Sequence, residues 1–395
     1  MTHSSKPGNA PRLTIMIPTR ERASYLGHSI RACLRAPVAD MEVLILDNAS
    51  ADGTRDIVQA IGDDRIRYER SEQRLSMRDN FERGLELSRG QIICSIGDDD
   101  AIIASRLTDA LAVFDDPKIQ ALSADRVHYA WPDIKGGRRN SVLVPRHEGM
   151  RTLKSRGELR NLLKNGNYYN LPCVYHGFVR KSLIDKIKIR QRRFFLSSQV
   201  DMFSSIALSM EDIDYNFSLS PYFINGGSAR SNGASHFKGG TEQERDLWKI
   251  EDDIGFLPAF QNWVTVKALI IESALRYSAA SGHRIYDIFA SEDIEAALGE
   301  EVNARKAKGL LDGDANILRE AVGGAGPFPL RAAPRRLSRI VRSFLAMRPA
   351  DMARSGRHDV DAVAHWVDER LADRRLGLIS NPVDQIRAAL AIARD

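Results

Sequence analysis

Ile92-Ile93-Cys94-Ser95-Ile96-Gly97-Asp98-Asp99-Asp100 decides how the chain is read: a β-rich apolar run stops on three adjacent carboxylates. A run this short, apolar apart from Ser95, fits a strand buried on both faces of a helix-covered parallel sheet. Open sheets of that kind bind ligands outside the carboxyl ends of their strands. Three neighbouring carboxylates repel one another, so a site that gathers them there predicts a bound cation. Hard oxygen ligands favour Mg²⁺ or Mn²⁺. The bland alternative is a solvated acidic turn, and the position at a strand end weighs against it.

Outward from this stretch the pattern repeats. Short apolar runs at 13–17, 41–46 and 66–69 alternate with helical patterns at 23–34, 54–61 and 77–89. The expected fold class is α/β with a mainly parallel central sheet. Asp47 and Asn48 end the second run, where an acidic or amide side chain commonly reaches a ribose or base. Ser50, Asp52, Gly53 and Thr54 then read as a turn that caps the next helix. Neither a G-x-G-x-x-G fingerprint nor a G-x-x-x-x-G-K-[ST] loop is present, so a pyrophosphate has no glycine cradle and a metal is expected in that role. Past Asp100 the spacing predicts a helix over 105–114, strands over 119–124 and 173–179, and a helix over 198–210. The glycines at 226, 227 and 233 predict a loop over 222–238. Beyond Gly240 the patterns are helical, with a linker near 323–327.

The 395 residues are 43% hydrophobic and 28% charged, ordinary globular usage. Cys33, Cys94 and Cys173 lie far apart, which disfavours a disulfide scaffold or a zinc site and suggests a reducing compartment. The polar start, 1–12, reads as a disordered tail without the apolar run of a secretory signal. No stretch reaches about 18 consecutive apolar residues, so a soluble, cytoplasmic chain is expected, at most held at the inner face of a membrane. The formal charge of +5 hides a basic block in 101–200 and an acidic one in 201–300. Arg180, Lys181, Lys186, Lys188, Arg190, Arg192 and Arg193 concentrate the former. No helix-turn-helix, zinc-finger or RNP-like pattern accompanies them, so nucleic acid is not the expected partner. Leu337, Ile340, Val341, Phe344 and Leu345 recur at helical spacing among arginines, and 334–349 therefore reads as a basic amphipathic helix able to lie on a membrane or pack on the protein.

The strand ends taken together resemble glycosyltransferase family 2, inverting nucleotide-sugar enzymes of the GT-A fold. The resemblance rests on Ile15 to Arg22, Leu46 to Thr54, Asn80, Gly90 to Ile93 and Gly97 to Asp100, and covers roughly 13–225. It implies a GT-A domain over 13–239, with a nucleotide-binding half at 13–100, an acceptor-binding half at 101–239 and a helical region at 240–395. It implies that Pro18, Thr19, Arg20, Glu21, Asp47 and Asn48 hold the base, and that Asp98 and Asp99 meet the ribose and the donor. Asp99 and Asp100 would carry Mn²⁺ or Mg²⁺. Asn48 departs from the family's usual second aspartate there, and an amide both donates and accepts where a carboxylate only accepts. The general base maps onto Asp201, with Glu211 and Asp212 as competitors and Val200 where the family often has Glu. His236 is a candidate metal ligand by analogy with a C-terminal histidine of some GT-A enzymes; His176 reads as structural. Arg230 is suited to phosphate oxygens.

The implied reaction is transfer of a sugar from a nucleoside-diphosphate donor to a saccharide or lipid-linked acceptor, of the kind found in bacterial polysaccharide assembly. Two alternatives remain open at this point. A sugar nucleotidyltransferase calls for a glycine-rich loop and a lysine after the first strand, which Pro18 to Arg22 does not supply. A catalytically silent nucleotide-sugar or polyanion-binding module would use the basic block as its surface.

Overall fold

The computed structural model describes residues 10–134, 139–145, 147–231, 254–310, 316–324, 347–352 and 356–371. Four strands form the first half: β1 (Leu13–Thr19), β2 (Met41–Asp47), β3 (Ile66–Arg70) and β4 (Ile92–Ser95). β2 and β4 are buried at every position, and β1 at all but Pro18, as two-sided burial requires. The helices Ala23–Leu34, Thr54–Ile61 and Met77–Leu87 connect them. Parallel pairing runs β4-β1-β2-β3, so every carboxyl end in this half opens on the same edge.

The second half is mixed. β5 (Ala101–Ile102), β6 (Ile119–Ala130), β7 (Ser141–Pro145), β8 (Met150–Lys154), β9 (Gly177–Arg180), β10 (Asp214–Gly227) and β11 (Met347–Asp351) complete one sheet. Its main path is β11-β7-β6-β9-β4-β1-β2-β3, with β10 running parallel to β6 and antiparallel to β5 and β8. The antiparallel β9 sits between β4 and β6, so the second half of the sheet is joined directly to the strand that precedes the aspartates.

Helices beyond residue 254 share this core. Ile270, Ile271, Ala274 and Tyr277 of the Val266–Ser281 helix lie in one apolar cluster with Phe203, Ile206 and Ala207 of the Val200–Ser209 helix. The Val360–Leu371 helix packs against the opposite end, where Arg35 pairs with Asp361 at 2.9 Å and the Arg106 guanidinium donates to the Leu371 carbonyl.

Three expectations change. The stretch from Tyr222 to Gly227 is strand, not loop, and Gly226 serves a close backbone approach instead of a turn. The run expected as strand from residue 173 begins only at Gly177, because His176 turns the chain with φ 55° after Tyr175 bridges Ser95. Met347–Asp351, which overlaps the end of the expected basic helix, is an edge strand antiparallel to β7. The rest of that helix, residues 334–346, lies outside the described residues, as do His236 and 325–327 of the linker. Gly323 and Gly324 follow the short Asn316–Ala321 helix, Gly323 with φ 75°. Among the described residues no helix is long and apolar enough to cross a membrane.

Candidate active site

The turn after β4 holds Asp98, Asp99 and Asp100, all at most 4% exposed. Ser29, from the helix after β1, fixes its backbone by donating to the carbonyls of Asp98 at 2.7 Å and Asp100 at 2.6 Å. Each carboxylate then faces a different neighbour. Asp98 accepts from Thr19 Oγ1 at 2.7 Å and from Arg22 Nη1 at 2.8 Å. Asp99 Oδ2 accepts from the hydroxyls of Ser228 at 2.6 Å and Ser231 at 2.5 Å, just past the end of β10. Asp100 is the most enclosed: Oδ2 accepts from Tyr175 OH, His176 Nε2 and the Gly97 amide, and Oδ1 from the Gly226 amide.

These partners set the charges. Burial raises the Asp99 carboxyl to about 6, against the pull of Arg22 and with the repulsion of Asp100 and Asp98 added. Burial acts the same way on Asp100, but His176 and the bonds from His176, Tyr175 and Gly226 outweigh it and hold the group below the usual carboxylate range. Burial also lowers His176, which keeps it neutral near pH 7. Arg22 is the cation paired with two of the three carboxylates, at 2.8 Å from Asp98 and 3.8 Å from Asp99. Asp99 Oδ1 is the carboxylate oxygen with the least satisfied environment, having only that distant guanidinium. A buried anionic cluster of hard oxygens with one arginine is chemically fitted to a divalent cation, and Asp99 offers the freer oxygen. Asp100 is already saturated by the fold. Among the described residues no group of three or more His, Cys, Asp or Glu side chains is placed so that it could hold a metal ion.

Gly226 shows why β10 carries glycine here. A Cβ at this position would lie 1.8 Å from the Asp99 carbonyl oxygen and 2.9 Å from Trp131 Nε1, which itself donates to that carbonyl. Gly226→Ala therefore forces the strand away from the aspartate turn. We expect a loss of about 3 kcal/mol or more, at or beyond the top of the usual overpacking range. Thermal unfolding of the variant measures it.

The expected base-binding residues lie together on the β1–β2 side, largely bonded to their own loops. Pro18 and Arg20 flank Thr19 at the end of β1, both half-buried. Glu21 takes φ 55°, and its Oε1 accepts from the Ala51 amide at 2.9 Å. Asp47 accepts from the Ser50 amide and the Tyr68 hydroxyl. Asn48 closes a two-way bond with the Leu75 backbone, 2.8 Å in each direction. Asp52 bridges two helix starts: its Oδ2 accepts from the Ala23 amide at 2.9 Å, and its Oδ1 from the Thr54 amide at 3.2 Å, at the first residue of the helix that follows it. Glu21, Ala49 and His176, all at φ 55°, sit on three loops around the aspartates, the kind of place where backbone strain collects at functional sites. Arg230 crosses from the β10 side to donate to the Glu21 carbonyl.

Asp201 opens the Val200–Ser209 helix on the other flank. Its Oδ2 accepts from Tyr168 OH at 2.8 Å and its Oδ1 from the Met202 amide at 2.8 Å. Tyr168 leans on Tyr169, whose ring lies under the Arg126 guanidinium at 3.8 Å; Arg126 in turn meets His176 Nδ1 at 3.0 Å. A continuous network thus joins Asp201 to Asp100. The competitors are engaged elsewhere: Glu211 pairs with Lys186 and Arg190, and Asp212 takes φ 51° in the turn after the helix.

The basic block is not an open cationic surface. Lys188 pairs with Glu82 and Glu86, Arg193 with Asp79, Lys181 with Asp185, and Arg180 donates to the carbonyls of Phe114, Asp116 and Ile119. Sequence reasoning missed Arg22, Trp131, Tyr175, Ser228 and Ser231 as neighbours of the aspartates; His176, weighed as structural, holds Asp100 in place. The only available signal was adjacency to a strand end.

A model described as glycosyl transferase family 2 matches residues 14–185. A GalNAc(5)-diNAcBac-PP-undecaprenol beta-1,3-glucosyltransferase of Campylobacter jejuni is 28% identical over 101 residues, 25% of this chain and 33% of that protein. An uncharacterised protein of Mycobacterium tuberculosis is 23% identical over 205 residues, 52% of this chain and 60% of its own length. The chain thus spans from a third to three fifths of the length of these curated relatives. Among solved structures, S. aureus TarS in complex with UDP-GlcNAc superposes with a TM-score of 0.47 at 15% identity, over 79% of this chain and 88% of that one. A Pyrobaculum calidifontis mannosyltransferase in complex with GDP-Man and Mn²⁺ gives 0.40 at 16%, over 81% and 88%.

Proposed function

We propose that the chain transfers a glycosyl group from a nucleoside-diphosphate sugar to an acceptor hydroxyl with inversion, a reading supported by the match of residues 14–185 to the glycosyl transferase family 2 model. One observation carries the reading: three buried carboxylates at the carboxyl end of β4, tied by hydrogen bonds to the ends of β1 and β10. The nucleotide lies on the β1–β2 side in this account, against Pro18, Thr19, Arg20 and Glu21, with Asp47 and Asn48 shaping the loops that receive the base. Asp98 and Asp99 face the ribose and diphosphate. Asp99, backed by Asp100, would hold Mn²⁺ or Mg²⁺, which when bound neutralises charge on the diphosphate.

Asp201 is the proposed general base. The acceptor oxygen attacks the anomeric carbon, its proton passes to the Asp201 carboxylate, and the bond from that carbon to the diphosphate oxygen breaks with the electron pair leaving on the nucleoside diphosphate. Tyr168 OH fixes the orientation of the carboxylate, and each Asp201 oxygen keeps a lone pair for the incoming proton. The similarity to a Campylobacter jejuni enzyme named for a PP-undecaprenol substrate supports a lipid-linked saccharide as the acceptor class. An inner-membrane-face location in the cytoplasm accords with such an acceptor.

Release of nucleoside diphosphate tests the reading. Incubation with UDP-, GDP-, CDP- and dTDP-sugars, Mn²⁺ and lipid-pyrophosphate saccharides should yield acceptor-dependent release with one donor. Tight donor binding without release under any pairing would instead favour the silent binding module.

A further inference from the structure

Arg126 stands out among the buried arginines. It is 6% exposed, yet it forms no ion pair with any described carboxylate; its partners are His176 Nδ1 at 3.0 Å and the face of Tyr169 at 3.8 Å. Other enclosed arginines of this chain are matched: Arg22 with Asp98, Arg276 with Glu272 and Arg305 with Glu301. The adjacent Asp125 is a weak counter-charge, its carboxyl raised by burial to about 6 against the pull of Arg126; a buried guanidinium so poorly balanced is costly and is kept where something else supplies the charge. The neighbouring Tyr169, which the guanidinium covers, is 39% exposed.

Its position indicates what comes there. Arg22 lies on the β1 flank of the aspartates, the proposed nucleotide side. Arg126 lies on β6, across β9 from β4, and its ring contacts lead through Tyr169 and Tyr168 to Asp201. An arginine donates only, so Nδ1 of His176 accepts from it and Nε2–H donates to Asp100. The guanidinium is thereby held between the donor carboxylates and the proposed base.

We propose that Arg126 receives an anionic group, a phosphate or a carboxylate, carried by the acceptor beside the hydroxyl that reacts. This rests on the transferase reading and narrows its acceptor class. The forked guanidinium suits two oxygens of such a group, and the exposed edge of Tyr169 offers a surface for the attached sugar.

Calorimetric titration of the full chain tests it, with methyl phosphate and methyl glucuronate as probes and methyl glucoside as the neutral control. Each is run with the nucleoside diphosphate that binds best already saturating the donor side. One anion should bind where the glucoside does not. Arg126→Met should weaken that binding by about tenfold to a hundredfold, the size of a charge-assisted hydrogen bond. Arg126→Lys, which keeps charge without the fork, should weaken it less and serves if the Met variant does not fold. Failure of both anions to bind wild type, or equal affinity in wild type and the folded variants, overturns the proposal. Absence of nucleoside diphosphate binding, with anion binding intact, would instead remove the transferase reading alone.

Discussion

Asp201→Asn lowers turnover by about 10² to 10⁴-fold, the usual contribution of a positioned base, and leaves nucleoside-diphosphate binding unchanged. The amide keeps the size of the side chain: its one oxygen can still accept from the Met202 amide, and its N–H₂ can donate to the Tyr168 hydroxyl, whose own proton then goes to Tyr169. It cannot take the proton of an acceptor hydroxyl. The split between kcat and donor affinity is the diagnostic result, because damage to the fold would lower both. Steady-state rates of nucleoside diphosphate release, beside a binding titration of the same variant, measure it. Near-normal turnover removes Asp201 from the base role.

Asp100→Asn acts on the other end of the network and through a different cause. Asp100 accepts four donors, from Gly97, Tyr175, His176 and Gly226, and is 1% exposed. An asparagine has one acceptor oxygen and sets an N–H₂ against donors already in place. Each buried group left unpaired costs about 1 to 3 kcal/mol, so a fall of about 3 kcal/mol in unfolding free energy is expected, together with loss of donor binding as the aspartate turn shifts. Denaturant unfolding reads the first and titration the second. A variant with wild-type stability would mean that the four bonds contribute little and that Asp100 is free to serve as a ligand alone.

The first half was legible because β1, β2 and β4 are buried on both faces and so read as apolar runs; the bounds expected for the helices 23–34 and 54–61 agree with those observed. The second half mixes pairing directions, and its signals are weaker. Gly226 carries the same sequence mark whether it ends a strand in a turn or lets a strand pass 1.8 Å from where a Cβ would meet a carbonyl, and only the neighbour distinguishes the two. The pairing within the basic block was hidden for a related reason. Lys188 and Arg193 are neutralised by Glu82 and Asp79, about a hundred residues away in the chain, which a count over a sequence window does not reveal. The strand-end rule found the aspartates, but Asp47 and Asn48 are bonded into loops that it could not anticipate.

The central claim is that the Asp98–Asp100 turn receives a metal-bound nucleoside-diphosphate sugar. Thermal unfolding of the full chain against UDP-, GDP-, CDP- and dTDP-sugars, with Mn²⁺ or Mg²⁺ and then with EDTA, tests it most directly. At about 100 times its Kd the correct donor should stabilise the protein by about 2.7 kcal/mol, and EDTA or Asp99→Ala should abolish that gain. No response to any donor, or a response indifferent to both EDTA and Asp99→Ala, would contradict the account.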